Sequence, residues 1–115
     1  MIKSLSQIQH ENALWVDKNF PGAKTYQPLL GAVEELGELA HAHLKEEQGI
    51  RTSEDHVANA KDAIGDTIIY LINYCNLRGF DIAEIVSGTW EGVQARDWTK
   101  NKDIPKDTKF KEGLE

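Results

Sequence analysis

KDAIGDTIIYLINYC, residues 61–75, is the stretch whose reading decides the fold. Ile64, Ile68, Leu71 and Cys75 recur at three- and four-residue intervals, the spacing of one helix face, and predict a core face. Ile69, Tyr70 and, just beyond, Leu77 fall on the far side, so the helix is apolar nearly all round, the pattern of one buried on most sides. Asp62 and Asp66, four residues apart, stack on that far side, and Asn59 and Asn73 extend their stripe. An ionised carboxylate left unpartnered in such surroundings costs on the order of several kcal/mol. It must be protonated, paired with a cation or bound to a metal. Cations are scarce nearby and Lys61 points elsewhere on the helix, so a metal is the economical expectation.

Working outward, residues 31–44 read GAVEELGELAHAHL. At about 100° per residue, Leu29, Ala32, Val33, Leu36, Leu39, Ala40 and Leu44 share one broad apolar arc. Glu35 sits at its edge and Glu38 is the next acid round. Gly31 and Ala42 fall on the same stripe and predict room for a bulky ligand, while Glu34 points to solvent. Were the two helices side by side, Glu35, Glu38, Asp62 and Asp66 would converge. Such a cluster repels itself unless a divalent cation lies within it. Oxygen-only ligands suit Mg2+, or Mn2+, which keep sites open for water and phosphate oxygens.

The remaining segments are helical too. Ser4 and Gln7 have capping-box spacing for a first helix reaching about Asn19, before Phe20-Pro21-Gly22 breaks the chain. A second helix is expected from near Pro28 to about Gly49, and a third from about Glu54, capped by Ser53, to Gly79. Asp81 caps a fourth, expected to run to roughly Lys100. Residues 1–100 are therefore expected to form an all-α four-helix bundle, and residues 101–115 a polar tail. With 115 residues and 40% hydrophobic content the core is modest, and a second copy of the chain would complete it. A formal net charge of -6 argues against nucleic-acid and anionic-membrane binding. The lone cysteine, Cys75, excludes an intrachain disulfide and reads as a small buried hydrophobe. Neither a signal peptide nor the roughly 18 apolar residues of a membrane span is present, so a cytoplasmic protein is expected.

Glu34, Glu35 and Glu38, as EELGE, together with the Gly65-Asp66 pair and the apolar run after it, resemble the MazG-like all-alpha nucleoside triphosphate pyrophosphohydrolases. That family's signature is EExxE, a spacer, then ExxD, and the likeness spans roughly residues 28 to 100. Ala63 stands where the family has its second-motif glutamate, and Asp62 lies one position earlier, as in a DxxGD variant. The resemblance implies a magnesium site on Glu35, Glu38, Asp62 and Asp66, with Glu38 or Glu35 orienting or deprotonating the attacking water. It implies cleavage between the α and β phosphates of a (d)NTP, and a homodimer or homotetramer. In WEGVQARDWTK, Arg96 and Lys100 match the family's phosphate-binding cations, and Trp90 stands where an asparagine is usual. Trp15 and Trp90, and less directly Trp98, Tyr26 and Tyr70, are candidates to stack on the base.

Two other readings compete. Glu38 and His41 form an ExxH, as in di-iron carboxylate bundles, but that chemistry wants one on each of two helices, and no histidine stands near Asp62 or Asp66. A non-enzymatic acidic helical module docking a basic partner explains the net charge, but not Asp66 within a mostly apolar helix.

Overall fold

The computed structural model describes residues 1–100. They form four helices and, among the described residues, no strand: α1 (Leu5–Asn19), α2 (Tyr26–Gln48), α3 (His56–Arg78) and α4 (Ile82–Gln94). The expected all-α four-helix fold is present. The polar tail expected over residues 101–115 lies outside the described residues.

Local chemistry sets most helix ends. The Ser4 hydroxyl accepts the Gln7 N–H and starts α1, while the Asp81 carboxylate accepts the Glu84 N–H and starts α4. Gly49 and Gly79, at φ 67° and 71°, end α2 and α3 in the left-handed conformation that glycine reaches without steric cost. Three boundaries differ from expectation. Thr25 rather than the approach to Pro28 precedes α2, and Pro28 sits within its first turn, where a missing N–H is harmless. Asp55, not Ser53, caps α3: its side chain accepts the Ala58 N–H at 3.0 Å. And α4 stops at Gln94 rather than near Lys100.

The described residues divide into two compact units, residues 1–80 and 81–100. In the first, α2 and α3 pack as an antiparallel pair, and α1 lies against the C-terminal half of α3. Ala32 and Ala42 of α2, Ala63, Ile72 and Cys75 of α3, and Val16 of α1 are buried. The small alanines let the α2 and α3 backbones approach. Ile72 is 1% exposed, so truncating it to alanine would cost about 2–5 kcal/mol. A polar clasp fixes α1: Gln9 Nε2 donates to Asn76 Oδ1 at 3.0 Å and to the Phe80 carbonyl at 2.7 Å. Asn76 Nδ2 donates back to the Gln9 carbonyl and to Asn12 Oδ1. Cys75 is buried, as its neighbours implied.

The predicted core face of α3 is corrected. Ile64 and Ile68 are 51% and 41% exposed, and the stripe bearing Ala63, Asp66 and Tyr70 is the one that faces α2. The α2 arc fares likewise: Ala32 is buried, but Leu29, Val33, Leu36 and Leu44 are exposed. The second unit contains α4, where Ile82 is buried and Ile85, Val86 and Trp90 are exposed. No described helix is long and apolar enough to cross a membrane.

Candidate active site

Glu35 and Glu38 project from α2 one turn apart, and Asp62 and Asp66 do the same from α3. Because the helices run antiparallel, these carboxylates meet: all of them line one cavity of about 330 Å³, with His41, Ala42, Asn59 and Ala63. Of these, Glu35 and Asp66 are half-buried, and Glu38 and Asp62 are exposed. Ala42 and Ala63, 2% and 3% exposed, bring the helices close enough to bound the space.

Electrostatics single out Glu35. Burial pushes its pKa above the ordinary carboxylate value, and the charges of Asp66, Glu34, Glu38 and Asp62 push it the same way. Two of these charges, those of Asp62 and Asp66, act across the interface between α2 and α3. The carboxylates share the space without closing on one point. Among the described residues, no three His, Cys, Asp or Glu side chains form a group able to hold a metal ion as they stand. Mutual repulsion favours such a spread, and either a proton or a cation between the oxygens would relieve it.

A second cavity, of about 510 Å³, adjoins the first and shares Glu35 and Asp66 with it. Its other walls combine the aromatics Trp15, Phe20 and Tyr70 and the amides Asn12, Gln27 and Asn73 with the apolar Val16, Ala23, Pro28 and Ile69. Trp15 meets Phe20 edge-on, with ring centroids 5.6 Å apart. The Asn73 Oδ1 atom is buried and, among the described residues, has no hydrogen-bond partner. Trp15 and Tyr70, base-stacking candidates in the sequence, line this cavity together with Phe20, Gln27 and Asn12, which the sequence did not single out because only tertiary packing brings them to the same space.

Four sequence candidates, Trp90, Arg96, Trp98 and Lys100, belong to the second unit. Trp90 is exposed on α4, the Arg96 guanidinium lies 5.9 Å from the Trp98 ring centre, and Lys100 Nζ stands 3.8 Å from Asp97. The expectation that Gly31 leaves room for a ligand is corrected, because the Tyr70 ring occupies that space. His41, the histidine of the ExxH, accepts a hydrogen bond at Nε2 from Arg51 Nη1 at 3.3 Å. No protein-family model, curated protein or solved structure matches the chain.

Proposed function

We propose that this chain is a Mg2+-dependent nucleoside triphosphate pyrophosphohydrolase, converting a (d)NTP to the (d)NMP and pyrophosphate. One observation carries the reading: Glu35 and Asp66 line two adjoining cavities of complementary chemistry. The carboxylate cavity suits phosphates approached through a divalent cation, and the aromatic and amide cavity suits a nucleoside. A lone acidic docking surface accounts for the first of these and leaves the second idle.

The oxygen-only donor set of Glu35, Glu38, Asp62 and Asp66 fits Mg2+ or Mn2+, and these residues would hold it. When bound, the ion supplies charge neutralisation and Lewis acidity for the phosphate oxygens. Glu35 or Glu38, which project from the same face of α2, would orient the attacking water or take its proton. Water oxygen forms the new bond to phosphorus and its proton passes to the carboxylate. The bond to the oxygen bridging the α and β phosphates breaks, and its electron pair leaves with the departing group. Trp15 offers a ring face to the base. Arg96 and Lys100 are the cations assigned to the outer phosphates by resemblance to the MazG-like family, while Trp90, which stands where that family has an asparagine, is a base-contact candidate on its aromatic character alone. A second copy of the chain is the proposed cover for the exposed apolar residues of α2 and α3.

The test is a panel of NTPs and dNTPs assayed for pyrophosphate release with Mg2+, with Mn2+ and with chelator. Metal-dependent release of pyrophosphate, rather than orthophosphate, is expected from at least one nucleotide. Absence of turnover across the panel would end the reading.

A further inference from the structure

Gly31 precedes Glu35 by one turn of α2, and Tyr70 follows Asp66 by one turn of α3. The two therefore meet one turn away from the carboxylates that both cavities share. They meet closely. A Cβ built on Gly31 would lie 2.6 Å from Tyr70 Cε1, 2.7 Å from Cζ and 2.8 Å from Cδ1. Carbon atoms pack at about 3.5–4.0 Å, so the ring lies on the α2 backbone in a place only glycine opens. The other glycines within α2 and α3, Gly37 and Gly65, meet nothing within 4 Å of such a Cβ. A glycine inside a helix is destabilising relative to alanine, and at Gly31 the compensation is this seat for an aromatic ring.

The ring borders the larger cavity, beside Glu35 and Asp66. Along a nucleotide the group next to the phosphates is the sugar, followed by the base. With phosphates among the carboxylates, that portion enters the larger cavity past Tyr70. We propose that Tyr70 is the specificity-determining wall met by the sugar and base, and that Gly31 is the positioning residue that sets where this wall stands. The inference rests on the nucleoside triphosphate reading above and deepens it.

Gly31→Ala, Tyr70→Ala and the double variant test it through kcat and KM for Mg2+-dependent pyrophosphate release over the nucleotide panel. The Ki of inorganic triphosphate, which has phosphates but no nucleoside, is measured alongside. Gly31→Ala displaces the ring from its seat at the cavity wall, so KM for nucleotides is expected to rise about tenfold, and more for purine than for pyrimidine nucleotides. The Ki of triphosphate stays within about twofold of the parent's, because the carboxylate cavity is untouched. Tyr70→Ala narrows the differences between bases, and Gly31→Ala adds nothing once the ring is gone. KM and base preference equal to the parent's, or KM and Ki rising in proportion, would overturn the proposal. Should Gly31→Ala fail to fold by thermal melt, Tyr70→Ala against the double variant decides: equal KM supports it and a further large rise overturns it. A parent inactive on every nucleotide defeats the triphosphate reading and this inference with it. An active parent with an indifferent Gly31→Ala defeats the inference alone.

Discussion

The α2–α3 pair has two sides that invert the usual rule. On one, Glu35, Glu38, Asp62 and Asp66 gather around a cavity, with Glu35 and Asp66 half-buried. Roughly opposite on the same helices, Leu29, Val33, Leu36, Ile64 and Ile68 stand 41–63% exposed. Charge is drawn in and hydrocarbon is left out. Neither arrangement is favourable for a chain alone in water: like charges in proximity repel, and exposed apolar surface on this scale marks an interaction face. The contrast teaches where the proposal can be tested: on the proposed reading one side would meet a cation with its phosphates and the other a second copy of the chain.

Asp66→Asn is the severest way to break the acidic half of this comparison. It should fold as the parent does and lose about a thousandfold or more of Mg2+-dependent pyrophosphate release, read by single-turnover and steady-state assays. The parent's melting temperature should rise by about 5 °C or more at a hundredfold excess of Mg2+ over its Kd, a rise the variant should lack. Indifference of the parent to Mg2+ would favour an acidic docking module instead.

Leu36→Glu and Ile68→Glu address the apolar half. The parent should sediment as a dimer or larger at micromolar concentration, and either variant as a monomer with a melting temperature lower by about 5–10 °C. A monomeric parent would break this half of the comparison.

The smallest effect concerns Glu34, exposed beside the cavity. Its charge is among those that raise the Glu35 pKa, so Glu34→Gln should let Glu35 stay ionised to lower pH. The acid limb of the kcat/KM profile should then move to lower pH, while a limb that does not move would remove Glu35 as the general base. Stability follows the same group. A carboxyl that holds its proton more tightly folded than unfolded favours the folded state at low pH, and that contribution is lost as pH rises through its raised folded pKa. Glu34→Gln should lessen that loss in metal-free buffer.

Signals carried by neighbouring residues were legible without the structure. Ser4, Gly49, Gly79 and Asp81 act where expected, because caps involve atoms within a few residues of one another. The common face of Glu35 and Glu38, and that of Asp62 and Asp66, followed from helix periodicity alone. Ser53 was passed over for Asp55 because both are good caps in one short connection, and only the path of the loop chooses between them.

What the linear order determined by itself was four helices and two pairs of acids, each set by contacts no longer than about one helical turn. Which face of α3 turns to α2 was a tertiary decision. Ile64 and Ile68 make the more hydrophobic stripe, yet Ala63 lets the backbones approach, and that closeness brings the acids together. The seat of Tyr70 on Gly31 and the clasp of Gln9, Asn12 and Asn76 belong to the same class. They join residues dozens of positions apart, and such pairings depend on how side-chain volumes fit between whole helices, information that no local pattern holds.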